Sequence, residues 1–247
     1  MKLPEKEKAA QRAAFRKMSP AEKIDHIYTY YKWPIFLALA LLILLGSGIR
    51  RQLQKKEVVL YLASVNVSAG EDLEAQLNEG FLRAIGANPK KQELYWYQAL
   101  YLSDDADVLN HQYAYASRMK FLGALETKKL DVMLMNREGY DLLSKNSYLL
   151  DLEEALGREA PALLAGIRDR LTENAVLIED NSLEVQLGEA QELNQVYTEQ
   201  KNGLDLSEYA MIREAGFPDT VYLGIAANTE RLQAALQYVE YLTGGGQ

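Results

Sequence analysis

The sequence predicts an α/β chain: an N-terminal helix, a single transmembrane helix, then a mostly parallel sheet with flanking helices. Three observations carry this. An uncharged apolar run occupies Pro34 to Gly46. Strand-like and helix-like patterns alternate from residue 57 onward. Charge is segregated: residues 1–56 hold 12 basic and 4 acidic side chains (net +8), whereas 57–247 hold 15 basic and 31 acidic (net −16), together the −8 of the whole chain.

The N-terminal part is read first. Ser19-Pro20-Ala21-Glu22 is a helix start: Ser19 caps, Pro20 suits the first helical position, and Glu22 completes a capping box. Ala21, Ile24, Ile27, Tyr28 and Tyr31 then share one helical face. Residues 1–33 are thus expected to form a basic juxtamembrane helix. It either lies on the inner membrane surface or is the cytosolic start of the next helix. From Trp33 to Ile49 no charge interrupts the chain, and at about 1.5 Å per residue that stretch spans roughly 25 Å, the short end of a membrane crossing. Tyr30, Tyr31 and Trp33 sit where an aromatic belt would lie. The competing reading, a cleaved signal peptide, is disfavoured by the long segment ahead of the run. The expectation is a transmembrane helix over 34–49 with the N-terminus cytoplasmic, followed by a basic linker over 50–56. Lys/Arg counts on the two flanks nearly balance, so charge alone does not orient it.

Beyond the linker, Val58 to Val65 (VVLYLASV) reads as a buried strand. Glu71 to Ile85 reads as an amphipathic helix with Leu73, Leu77, Phe81 and Ile85 at four-residue spacing. Asn88-Pro89 breaks it, and Glu93 to Leu102 is a second strand. A long helix over Asp107 to Lys128, a strand over Asp131 to Met135 and a short helix over Arg137 to Lys145 follow. Strands separated by helices imply parallel pairing through right-handed crossovers. The second half is less patterned. Pro161 to Leu171 reads as helix, Ala175 to Ile178 and Leu183 to Leu187 as short strands, and Gly188 to Gly203 is ambiguous. Ser207 to Ala215 reads as helix, Thr220 to Ala226 as strand, and Asn228 as the cap of a helix running to about Leu242.

The chemistry is sparse. There are no cysteines, which excludes disulfides, iron–sulfur clusters, Cys-zinc sites and thiol nucleophiles. The two histidines, His26 and His111, stand in no metal-binding spacing. Walker loops, G-x-S-x-G elbows and strand-following G-x-G-x-x-G motifs are missing. Asp104, Asp105 and Asp107 lack the Gly and terminal Glu of a calcium loop and read as a turn with a helix cap. An acidic domain argues against nucleic acid. No catalysis, metal or cofactor is expected. Tyr95, Tyr97 and Tyr101 share one strand face opposite Trp96, and read either as core packing or as a stacking wall for a sugar or peptide.

A family resemblance enters at residues 125–156. Asp131-Val132 and Tyr148-Leu149-Leu150-Asp151-Leu152, with the short helix between them, resemble a segment of bacterial extracellular solute-binding proteins of ABC importers. The stretch VYLGIAANTERLQAALQYVEYL (221–242) resembles that family's late strand, turn and closing helix. KMSPAEKIDHIYTYYKWPI (17–35) is similar to the juxtamembrane start of single-pass proteins of Gram-positive bacteria that carry a tethered extracellular domain. The resemblance implies a periplasmic-binding-protein-like domain over 57–247 with a reduced second lobe, held outside the cell membrane. Its implied role is to bind a small solute or an envelope protein without catalysis. The alternative is a structural or regulatory subunit of an envelope complex. In such a fold a ligand lies at the carboxyl ends of parallel strands. That points to Asn66 and Ser68 after the first strand, Asn136 and Arg137 after the third, and Asn228 after the last. Ser68, Asn136 and Asn228 also suit helix starts.

Overall fold

The computed structural model describes residues 18–21, 28–29, 32–37, 39–44, 56–104, 111–187 and 192–244. The chain divides into two compact units, Met1–Lys55 and Lys56–Gln247.

In the first unit Pro20 and Ala21 are helical, where the Ser-Pro start was expected. Helical residues 32–37 and 39–44 follow. The expected transmembrane helix is corrected: among the described residues no helix is long and apolar enough to cross a membrane. Their large apolar side chains, from Trp33 to Leu44, are 51–73% exposed. Glu22, which was to complete the capping box, and residues 50–55 of the expected linker lie outside the described residues.

The second unit is built on one six-stranded sheet. Its strands are β1 (Glu57–Val65), β2 (Gln92–Leu100), β3 (Val132–Met135), β4 (Leu171–Asp180), β5 (Gln195–Asp205) and β6 (Tyr222–Ile225), in the order β2-β1-β3-β6-β5-β4. Its helices are α1 (Glu71–Ala75), α2 (Phe81–Ala84), α3 (His111–Glu126), α4 (Arg137–Lys145), α5 (Leu152–Glu159), α6 (Pro161–Ile167), α7 (Ser182–Leu187), α8 (Ala210–Ala215) and α9 (Leu232–Thr243).

Alternation along the strands divides the core. Leu60 and Leu62 of β1 and Val132 and Leu134 of β3 point to one face, where α1, α2, α5, α6, α8 and α9 contribute the covering side chains. Phe81 meets Tyr238 there edge-on, with ring centroids 4.8 Å apart. Ala63, Val65, Met133 and Met135 point to the other face, covered by Phe121 of α3 and Tyr140 and Leu143 of α4. Burial on both faces explains why β1 and β3 read as continuous apolar runs.

Several expectations change. The sheet is mixed rather than mostly parallel: β1 pairs in parallel with β2 and β3, but β3–β6, β6–β5 and β5–β4 are antiparallel. No separate second lobe is formed among the described residues; the C-terminal strands complete the same sheet. Helix 71–85 is interrupted by a π-helical turn over Gln76–Gly80, although Leu73, Leu77 and Phe81 are buried as their spacing required. Leu183 to Leu187 is helical, not extended, because Asp180 Oδ1 accepts from Ser182 N (3.0 Å) and the helix starts there. Of the ambiguous stretch Gly188 to Gly203, the part from Gln195 onward belongs to β5, and residues 188–191 lie outside the described residues. The helix from Pro161 ends at Ile167 and, after a 3₁₀ turn, Leu171 already belongs to β4.

The β4–β5 hairpin positions the site. β4 and β5 pair along almost their whole length, yet β5 joins β6 only through Leu204–Leu223 and Asp205–Tyr222. Beyond that seam the hairpin continues without β6, and β4 runs along α4. Hydroxyls on α4 and the turn after it serve the carbonyls of β4: Ser144 Oγ donates to Ala175 O (3.0 Å) and Ser147 Oγ to Leu177 O (2.6 Å). Tyr140 Oη lies 2.7 Å from Thr172 O and 2.9 Å from Asn202 Oδ1, its single proton serving one acceptor at a time. Asn202 is fully buried and donates to Ser144 Oγ (2.8 Å). An edge strand that would otherwise present unpaired carbonyls is thereby satisfied.

Candidate functional site

Of the residues expected at the carboxyl edge, Asn66, Asn136 and Arg137 are engaged by their own neighbourhood. Asn66 ends β1 with φ 58°, a left-handed conformation that Asn tolerates. Its side chain brackets the peptide of Leu102, accepting from Leu102 N (2.8 Å) and donating to Leu102 O (2.7 Å). Ser68 is exposed in the segment before α1. Asn136 caps α4, its Oδ1 accepting from Gly139 N (2.9 Å). Arg137 pairs with Asp141 one helical turn on (2.8 Å) and lies over the rings of Tyr140 and Tyr222, at 5.6 and 5.8 Å. Hydrogen bonds to Asp141 and then Tyr222 hold its pKa above the ordinary arginine value.

Asn228 stands apart, beyond the C-terminal end of β6, where β3 begins. It does not cap a helix: α9 starts at Leu232 after Arg231, and Asn228 Nδ2 donates to Leu125 O (2.8 Å). Beside it is the fully buried Asp131, whose carboxylate accepts from Tyr61 N (2.8 Å), Thr229 Oγ1 (2.5 Å) and Arg231 Nε (2.8 Å). The Arg231 guanidinium in turn lies 4.7 Å from the Tyr61 ring centroid. This cluster ties the start of β3 to the approach of α9.

The tyrosines of β2 divide. Tyr97 is buried against Tyr61 and Tyr95, while Tyr95 remains 44% exposed. β2 is an outer strand, so its face is only partly covered. Trp96, on the opposite side, donates from Nε1 to Ser64 Oγ (2.8 Å).

A cavity of about 270 Å³ opens elsewhere, between α3, the end of α4 and the far half of the hairpin. Leu102, Phe121, Leu142, Tyr148 and Leu177 supply apolar lining, and Arg118, Lys145, Asp104 and Asp180 bring charge. Arg118 Nη2 donates to Asp104 Oδ1 (2.8 Å) and Ser103 O (3.1 Å). Lys145 Nζ lies 6.0 Å from the centroid of the Tyr197 ring. Asp180 accepts from Ser182 N, Ser182 Oγ and Gln195 Nε2, which holds its carboxyl below the usual range. None of the five residues expected from the sequence lines this cavity. Its walls come from segments far apart in the chain, and no motif spacing links them. The one local hint was Lys145, a cation in the last turn of a helix read correctly from the sequence.

Among the described residues no group of three or more His, Cys, Asp or Glu comes together as a metal site. The largest upward shifts fall on Tyr140 and Tyr238, pushed up by burial in the core.

No family model matches the chain, and no curated protein matches it. Among solved structures, it is similar to the substrate binding domain assigned to a molybdenum ABC transporter from Clostridium difficile. The match has 12% identity and a TM-score of 0.31, and covers 77% of this chain and 95% of that one.

Proposed function

We propose that residues 56–247 form a non-catalytic binding module for a small solute, with the cavity between α3, α4 and the β4–β5 hairpin as its site. The observation that carries this is the combination at one place of apolar side chains, aromatic walls, the amides of Asn146 and Gln195 and four charged side chains. Polar groups placed beside apolar and aromatic side chains are what orient a bound small molecule. The non-catalytic reading is supported by the engagement of the polar groups. Asp104 and Asp180 are held by hydrogen bonds, and no described His faces the cavity to act as a base. Placement of the domain outside the cytoplasm belongs to the same proposal and is tested by protease accessibility on intact cells.

Thermal-shift screening of the full chain against sugars, amino acids, short peptides and organic acids tests the binding role. A ligand that binds the folded state raises the midpoint by mass action. A blank across the whole set sinks the solute reading. In that case the second reading, a protein-interaction module of an envelope complex, gains weight from Ile178, Leu183, Leu187 and Leu193. These are all exposed in the far part of the hairpin.

A further inference from the structure

We infer that the tip of the β4–β5 hairpin docks a basic segment of another protein, one that presents an apolar face flanked by lysine or arginine. This rests on the protein-contact reading of the hairpin given above and does not depend on whether the cavity takes a solute.

Four side chains make the apolar part of this surface. Ile178 falls at the register shift between Leu177 and Glu179 and is 55% exposed. Leu183 and Leu187 stand one helical turn apart on α7, each 64% exposed. Leu193, 59% exposed, is held beside the start of α7 by Asn181. Asn181 Nδ2 donates to Glu192 O (3.0 Å) and Asn181 Oδ1 accepts from Asn194 N (2.6 Å), so both peptide units of Leu193 are bracketed. Asn181 O also accepts from Val185 N (3.0 Å) within the first turn of α7. One residue thus anchors the two segments that carry the leucines. Scattered exposed leucines are ordinary, but several gathered on one hairpin tip mark a contact surface.

Charge decides what covers it. From Ile178 to Glu199 the chain contains no Lys, Arg or His. Glu179, Asp180, Glu192 and Glu199 are all exposed there. Asp180 is committed to Ser182 and Gln195, whereas Glu179, Glu192 and Glu199 form no ion pair among the described residues. Lys145 and Arg118 approach from the cavity side and already have partners, the Tyr197 ring at 6.0 Å and Asp104 at 2.8 Å. Lys201, nearer the base of the hairpin, pairs with Glu153 (3.0 Å). A second copy docked tip to tip would set these carboxylates against their own kind. An anionic lipid surface would meet the same repulsion. A basic segment with an apolar face buries the leucines and brings its cations to the free carboxylates.

Three synthetic helical peptides test this: leucine–lysine, its leucine–glutamate counterpart, and a serine–lysine peptide that keeps the charge without the apolar face. Each is titrated by fluorescence anisotropy into the full chain. Three double variants accompany the wild type: Leu183→Ser with Leu187→Ser, Glu179→Gln with Glu192→Gln, and, as a control on α8 and α9, Glu214→Gln with Glu240→Gln. All six positions are exposed, and circular dichroism checks that each variant folds. The leucine–lysine peptide is expected to bind the wild type, tenfold or more weakly when the leucines are replaced, and at least threefold more weakly when the tip carboxylates are. The control should leave its affinity unchanged, and added salt should weaken it. Equal losses from the tip and control carboxylates would mean general attraction to an acidic domain and overturn the inference. Equal affinity for the serine–lysine peptide also overturns it. Self-association in sedimentation, or flotation with phosphatidylglycerol vesicles, that disappears on replacing Leu183 and Leu187 assigns the tip to another occupant and overturns it too. If the leucine–glutamate peptide alone binds through those leucines, the basic partner falls and the protein-contact reading stands. If no peptide's binding depends on them, both fall.

Discussion

Asp131 shows how a single residue read from the sequence acquires a different meaning in the fold. Its place at the start of an apolar strand was legible, and so was its membership of the Asp-Val pair that carried a family resemblance. Its three hydrogen-bond donors were not, because Tyr61, Thr229 and Arg231 lie about 70 and 100 residues away. Replacing Asp131 with Ala leaves the Tyr61 amide and the Arg231 guanidinium without their acceptor. The expected loss is about 3 kcal/mol of unfolding free energy, read by urea titration. Asn66 is a milder case. Asn66→Gly keeps the left-handed backbone but loses both bonds to Leu102, and is expected to cost about 1–2 kcal/mol in the same assay. An Asn66 that also contacts a ligand would change affinity beyond this stability effect.

At the scale of elements, α4 was the segment best written in the sequence, and its partner the worst. Asn136, the apolar spacing of Tyr140 and Leu143, and Lys145 near the end define a helix locally, and the structure has it over the expected residues. That Tyr140, Ser144 and Ser147 would serve the carbonyls of β4 could not be read, since β4 and β5 are only half-buried and their pattern is weak. Leu183 to Leu187 alternates apolar and polar residues as a strand would, yet local hydrogen bonding at Asp180 and Ser182 turns it into α7. Two substitutions probe the α4–hairpin contact. Tyr140→Phe removes the hydroxyl shared by Thr172 O and Asn202 Oδ1, with an expected cost of about 1–2 kcal/mol. Gly203→Ala would place a Cβ 2.6 Å from the Tyr140 ring and should cost about 1–3 kcal/mol through displacement of that ring. Amide hydrogen exchange should show the loss first in β4 and β5 in both variants, leaving β1 and β3 protected.

For the whole molecule, the α/β class was legible because strand and helix periods alternate, but strand direction leaves no periodic trace. Hence the antiparallel placement of β6 and β5 had no signal to announce it. Charge segregation and the apolar run were plain in composition, yet a run of apolar letters does not itself establish a membrane-long helix. The domain's tyrosines set its response to alkali. Burial raises the pKa of Tyr238 and of Tyr140, so the neutral phenol is favoured in the folded state. Stability from this source is complete below the unfolded tyrosine value of about 10 and is lost as pH rises from there toward the folded values. The unfolding midpoint should be flat with respect to tyrosine ionisation up to about pH 10 and fall beyond it. Phenolate absorbance of the buried rings should appear together with unfolding. Finally, the seam by which β5 meets β6 is two residue pairs long. The hairpin is therefore an outgrowth that variation can lengthen, shorten or recolour between Asp180 and Gln195 without moving the register of β2-β1-β3-β6. One wall of the cavity can diverge at the pace of a surface loop while the other, made by α3 and α4, is held to the pace of the core.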